Sequence, residues 1–185
     1  MMGAYIDSSL NWRDIAWLRR HTKLPIVLKG VQTAQDAMLA AQYGCEGIVL
    51  SNHGGRNLDT SPASLLVLLE LHKTCPTVFG KVEILIDGGI RRGTDILKAL
   101  CLGATAVGLG RPYLYALNYG QDGVRHMTDI LADELRVSMQ MVGITRLEDA
   151  HPGLVNTAEI DYLVPAREGH PYARPVRRGG MWARL

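Results

Sequence analysis

Four short apolar runs, set between longer helix-compatible segments, constrain this chain more than any other feature. They are Pro25-Ile26-Val27-Leu28-Lys29, Gly47-Ile48-Val49-Leu50-Ser51, Glu83-Ile84-Leu85-Ile86-Asp87 and Ala106-Val107-Gly108-Leu109-Gly110. Each run is continuously apolar rather than alternating, the pattern of strands buried on both faces of a parallel sheet. Parallel neighbours need long crossovers, and the intervening segments read as helices. Thr33 and Asp36 have capping-box spacing, Ala37, Met38, Ala40 and Ala41 follow, and Gly44 is placed to end that helix. Ser61-Pro62 ahead of Leu65, Leu66, Leu68 and Leu69 predicts an N-cap with proline at the first helical position, and Thr94 to Leu102 followed by Gly103 repeats the theme. A helix is also expected over about Asn11 to Arg20, and the stretch from Val124 to Val142 is amphipathic, with Leu131, Leu135 and Val142 on one face. Met127, Met139 and Met141 in that stretch are assigned to core packing. The fold class is α/β.

Composition narrows the partners. With 20 Lys and Arg against 18 Asp and Glu in 185 residues, a strongly cationic nucleic-acid binder is not the default. Hydrophobic residues make up 47% and charged residues 21%, and no apolar run reaches the ~18 residues of a membrane span. Neither disorder of the body, nor a membrane partner, nor a nucleic-acid partner is expected. Cys45, Cys75 and Cys101 are widely spaced with no CxxC pair, which predicts free thiols in a reducing compartment. His21, His72, His126, His151 and His170 fall on predicted helix surfaces or near the C-terminus without a metal-ligand partner at useful spacing, so no metal is expected. Five arginines and one acid crowd into residues 166–185, where prolines and glycines interrupt any period. Residues 1–165 are therefore read as the folded domain and 166–185 as a basic, disordered tail.

Each apolar run ends in polar or glycine-rich residues: Lys29-Gly30, Ser51-Asn52-His53-Gly54-Gly55-Arg56, Asp87-Gly88-Gly89-Ile90-Arg91 and Gly110-Arg111. In α/β folds the C-terminal strand ends share one rim, where ligands bind. The last two loops pair side-chain-free backbone N–H groups with arginine forks, which suits a phosphate; the alternative is a tight turn flanked by solvated arginines. A dinucleotide fingerprint is disfavoured, because Tyr113 stands where GxGxxG needs glycine. His53, between Asn52 and two glycines, is placed to serve as a general base, or else as a structural hydrogen-bonder. Arg56 is suited to clamp a carboxylate, and together they suggest proton abstraction from a hydroxy acid. Lys29 at the end of an apolar strand either faces an anion or carboxylate, or snorkels to solvent.

In order and spacing, Lys29-Gly30, the segment from Ser51 to Asp59, Asp87-Gly88-Gly89-Ile90-Arg91-Arg92-Gly93-Thr94-Asp95 and Gly108-Leu109-Gly110-Arg111-Pro112 resemble the FMN-dependent α-hydroxy-acid oxidases and dehydrogenases. The resemblance runs from about Ile6 to Pro165. It implies the C-terminal half of a (β/α)8 TIM barrel, strands five to eight, with an extra C-terminal helix and an extended tail. Strands one to four are expected to be absent, as in a truncated product or an incomplete gene beginning at Met1, so that the chain is a homo-oligomer or needs the missing half-barrel and turns over poorly alone. The resemblance further implies FMN as cofactor and a small (S)-2-hydroxy acid as substrate, with oxygen as electron acceptor, or alternatively cytochrome, or a non-catalytic FMN-binding half-barrel.

Position by position, the resemblance implies that His53 is the catalytic proton acceptor and that His53 and Arg56 bind substrate. Lys29 would stabilise charge at the N1 and O2 side of the flavin, Ser51 would contact the cofactor and Asp87 would hold ribityl hydroxyls. Gly88, Gly89, Ile90, Arg91, Gly110 and Arg111 would grip the phosphate. The terminal Ala183-Arg184-Leu185 is similar to a peroxisomal address, which favours an oxidase in that compartment. Cytoplasmic and mitochondrial sites are the alternatives, the latter because Lys23 to Gln32 and Cys101 to Ala104 look like the fungal cytochrome-linked lactate dehydrogenases.

Overall fold

The computed structural model describes residues 7 and 9–164, so the tail from 166 to 185, including Ala183-Arg184-Leu185, lies outside the described residues. Four strands form one sheet: β1 (Val27–Val31), β2 (Gly47–Leu50), β3 (Glu83–Asp87) and β4 (Ala106–Gly108). They lie side by side in sequence order and all pairings are parallel. Helices α1 (Asp14–His21), α2 (Ala34–Gln42), α3 (Ser64–Thr74) and α4 (Gly93–Cys101) alternate with them, and α5 (Arg111–Leu117) and α6 (Gly120–Met141) follow.

Among the described residues, helices cover one face of the sheet only. Side chains alternate across a pleated sheet, and Ile48, Leu50, Ile84 and Ile86 are shut away in one cluster with Ala37 and Ala40 of α2, Val67, Leu68 and Leu71 of α3 and Ala99 of α4. The three crossover helices therefore share a face. On the other, Val49 and Leu85 are only half-buried and Val27 is 47% exposed. This corrects the expectation of strands buried on both faces among the described residues, because a run of apolar residues does not say how many layers cover it.

Local signals placed both ends of α2. Thr33 Oγ1 accepts the Asp36 N–H at 3.0 Å to start α2, and Gly44 follows its end with φ +72°. The buried Glu70 of α3 accepts the Ala34 N–H at 3.2 Å, so a carboxylate meets the positive end of α2 and ties the two helices. Helix α1 starts at Asp14 rather than Asn11, because the Asn11 side chain accepts the Arg13 N–H at 3.0 Å and turns the chain first. Helix α3 starts at Ser64, not after Ser61, whose hydroxyl instead donates to the Leu58 carbonyl at 2.6 Å. Met139 packs in the core with Leu97, Cys101 and Ile144, whereas Met141 is 84% exposed, against expectation, since it falls on the solvent side at the end of α6. Cys45, Cys75 and Cys101 are free and buried, and burial pushes each thiol up.

Helix α6 locks the last unit. Glu134 accepts the Gly93 N–H at 2.8 Å and pairs with Arg92 at 2.8 Å, closing the start of α4. The backbones touch there: a Cβ on Gly93 would lie 2.2 Å from the Leu135 nitrogen. Gly93→Ala is thus expected to force α4 and α6 apart and to lower stability by about 1–3 kcal/mol or more; a urea denaturation midpoint equal to wild type would contradict it.

A second lock joins α1 to the sheet. Glu46 accepts the Ile26 N–H at 2.7 Å and pairs with Arg19 at 2.8 Å, and these partners hold its carboxyl down to about 2. Because the folded value lies below the ordinary 4.5, the contribution is present above about pH 4.5 and is lost as pH falls toward 2. The group is solvent-accessible, so added salt should weaken it. Urea midpoints between pH 4.5 and 2 are expected to fall less steeply in Glu46→Gln than in wild type.

Candidate active site

Parallel pairing brings every C-terminal strand end to one edge, and there the charged residues meet. Lys29 projects from the face opposite the crossover helices, since its register partner is Val49 and not the buried Ile48 or Leu50. Its Nζ lies 3.0 Å from Asp87 Oδ2 and donates to Ser51 Oγ at 2.9 Å. The Lys29 charge therefore faces a carboxylate, one of the alternatives open in the sequence. The β1–β2 register shifts between Lys29 and Val31, where Gly30 takes φ +98°. A lysine side chain is 48% exposed in this pair and Asp87 only 23%, so the positive end borders open space while the carboxylate is sheltered.

Ser51 joins the group together. It is fully buried; its hydroxyl donates to Asp87 Oδ1 and accepts from Lys29 Nζ and from the His53 N–H at 3.0 Å. One donor and two lone pairs are thereby all used. The sequence resemblance implies a cofactor contact for Ser51; within the protein its hydroxyl bonds to Asp87, Lys29 and the His53 N–H.

The His53–Gly55 turn follows directly. His53 holds φ +56°, a left-handed conformation uncommon outside glycine, and Gly54 and Gly55 continue it at +64° and +75°. Asn52 Oδ1 accepts the Gly55 N–H at 3.1 Å, and Asn52 Nδ2 donates to the Pro62 carbonyl at 3.3 Å. His53 is half-buried and Arg56 is exposed. A strained non-glycine residue held by its neighbours is a common mark of a functional loop.

The β3–α4 loop lies against this turn. A Cβ on Gly88 would sit 2.9 Å from Asn52 Oδ1 and 3.4 Å from Ser64 Oγ, so glycine here permits packing of two loops. Gly88 and Gly89 take φ +89° and +84°, Ile90 is buried, and Asp95 Oδ2 accepts the N–H groups of Arg91 and Arg92, each at 3.0 Å. Gly89 and Gly110 have open space where a side chain would stand, and the Arg91 and Arg111 residues are exposed. Arg111 Nη2 donates to the Gly54 carbonyl at 2.8 Å. Asn52 and Gln32, whose Nε2 donates to the Ser51 carbonyl at 3.2 Å, were not read as site residues from sequence. An asparagine three residues before glycine is a turn signal that could have found the first.

A family model described as FMN-dependent dehydrogenase matches residues 1–157. The chain belongs to that family. It is 45% identical over 181 residues to an L-lactate dehydrogenase (cytochrome) of Wickerhamomyces anomalus, covering 96% of this chain and 32% of that protein. It is also 47% identical over 152 residues to a peroxisomal (S)-2-hydroxyacid oxidase of Arabidopsis thaliana, covering 82% of this chain and 41% of that one. Among solved structures, a mutant flavocytochrome b2 with pyruvate bound superposes with a TM-score of 0.79 at 50% identity over 83% of this chain and 40% of that chain. The chain thus spans less than half the length of these relatives, and its α/β fold with a parallel sheet is similar to that of flavocytochrome b2.

The buried hydroxyl gives the family site a stability test. Ser51→Ala should leave the Lys29–Asp87 pair but orphan the His53 N–H, lowering stability by about 1–3 kcal/mol in chemical denaturation; a loss under about 0.5 kcal/mol would show that the hydroxyl is dispensable.

Proposed function

We propose that this chain carries the FMN-binding and proton-accepting portion of an (S)-2-hydroxy-acid oxidase, a flavoenzyme that turns a 2-hydroxy acid into the 2-oxo acid. The observation that carries the reading is the single hydrogen-bonded group of Lys29, Ser51, Asp87 and the His53 backbone at the strand ends, beside two open glycine turns. The residues suit a flavin mononucleotide: cationic forks and unobstructed backbone fit a phosphate, and a lysine bordered by open space fits an electron-rich ring.

Lys29, Ser51, Asp87, Gly88, Gly89, Ile90, Arg91, Gly110 and Arg111 would hold FMN, with the Ser51 hydroxyl also fixing Lys29 and Asp87. FMN, when bound, supplies the acceptor for the two electrons that leave the substrate carbon. Arg56 holds the substrate carboxylate through parallel hydrogen bonds, and His53 takes the substrate proton on its imidazole. The sequential strand order and one-sided helices support placing the four strands as the fifth to eighth of a (β/α)8 barrel. Among the described residues one sheet face is uncovered and the outer edges of β1 and β4 are unpaired, which calls for a complementary half-barrel or a second copy of the chain.

Oxygen as acceptor, and a peroxisomal location, are supported by the likeness to the peroxisomal (S)-2-hydroxyacid oxidase of Arabidopsis. The match to the Wickerhamomyces cytochrome-linked enzyme over 96% of the chain favours cytochrome as the second reading. The open sheet face favours a third, a flavin-binding module without turnover.

Anaerobic mixing of the FMN-loaded chain with glycolate or L-lactate separates these readings. Bleaching of the flavin supports the oxidation, and His53→Gln should slow it by about 100-fold or more. Reoxidation in air with peroxide release selects the oxidase, and reoxidation only by cytochrome c selects the dehydrogenase. Bound flavin that never bleaches selects the module.

A further inference from the structure

We propose that Arg111 is a positioning residue for His53, tethering the His53 turn through the Gly54 carbonyl so that an anion held at the last two strand ends also fixes the proton acceptor. The inference rests on the readings of His53 and of the anion site given above, and adds a link between them.

Besides the backbone bonds from the Gly55 N–H to the Asn52 carbonyl and from the Arg56 N–H to the His53 carbonyl, three side-chain hydrogen bonds hold the turn. Ser51 Oγ accepts the His53 N–H at 3.0 Å, Asn52 Oδ1 accepts the Gly55 N–H at 3.1 Å, and Arg111 Nη2 donates to the Gly54 carbonyl at 2.8 Å. The first two come from the adjoining residues of the same loop. Arg111 comes from the start of α5, 57 positions along the chain, and among the described residues it is the one tether on this turn from outside the β2–α3 loop. The contact is built closely: a Cβ on Gly54 would stand 3.0 Å from Arg111 Nη2, so a side chain there would crowd the guanidinium.

The turn needs the tether because its conformation is costly. His53 at φ +56° is strained for a residue with a side chain, and such strain persists only when surrounding contacts over-determine it. A guanidinium has five N–H donors in a fixed fork, and the Gly54 carbonyl takes one direction of it. The remaining donors lie on an exposed residue next to Gly110, where the backbone is open. An anion bound there would fix the fork, and the fork would fix Gly54 and hence the His53 peptide. A lysine could bind the anion or the carbonyl, but its ammonium lacks the planar fork that engages both in one geometry.

Amide hydrogen exchange on the 15N-labelled 185-residue chain tests this, read at Gly55 and Arg56, whose N–H groups donate to Asn52 and to the His53 carbonyl. In the free protein, Arg111→Ala is expected to speed exchange at both about tenfold, while the core amides of Ile48 and Leu68 stay protected. Inorganic phosphate or FMN should slow the two amides in wild type and leave them unchanged in Arg111→Ala. Arg111→Lys should keep part of the anion affinity yet exchange as fast as Arg111→Ala, which separates the tether from simple charge and serves if the alanine variant unfolds. Wild-type exchange rates in either variant would overturn the tether. Anion binding that leaves Gly55 and Arg56 untouched would overturn the link while sparing the anion site. Failure of phosphate and FMN to shift any wild-type resonance would overturn the anion reading and the link together, with the tether still decided by the free proteins.

Discussion

One buried hydroxyl organises the polar C-terminal edge of the sheet. Ser51 uses all three of its hydrogen-bonding directions at once, toward a carboxylate, an ammonium and a backbone N–H. Each partner comes from a different place: Asp87 from the end of β3, Lys29 from β1 and His53 from the loop after β2. The arrangement requires β2 to lie between β1 and β3 with its end level with theirs, which the parallel register provides. Moving any strand by one residue would turn the polar end toward the helices and the apolar residues toward the rim.

Glycine performs three separate tasks around that edge. At Gly93 it allows two helix backbones to touch, at Gly88 it lets the β3–α4 loop pack on Asn52, and at Gly89 it leaves backbone open. These tasks are alike in sequence, since each reads as a small residue in a glycine-rich loop. They separate only when the neighbouring atoms are in place. The same is true of Arg111, which reads as a phosphate ligand and in the structure also reaches a carbonyl two strands away.

The helical layer explains why the edge stays rigid while its outer parts remain accessible. Glu70 and Glu134 each sit at the start of a neighbouring helix, joining α3 to α2 and α6 to α4 through charged hydrogen bonds. Those links fix the helices that back β1 to β4, so the strand ends keep their spacing. Arg56, Arg91 and Arg111 stand beyond this layer, exposed at the rim.

Sequence alone determined the order of the four strands and of every helix but α5, the parallel α/β class and the identity of the polar residues at each strand end, because apolar run length and loop chemistry are local properties. It also set the start of α2 through Thr33 and Asp36, where the capping partners are three residues apart. Tertiary structure decided the rest. That helices back only one sheet face among the described residues, and that the Ser51 hydroxyl bonds to Lys29 and Asp87, 22 and 36 positions away, depend on partners far apart in the chain, whose distances no local pattern encodes.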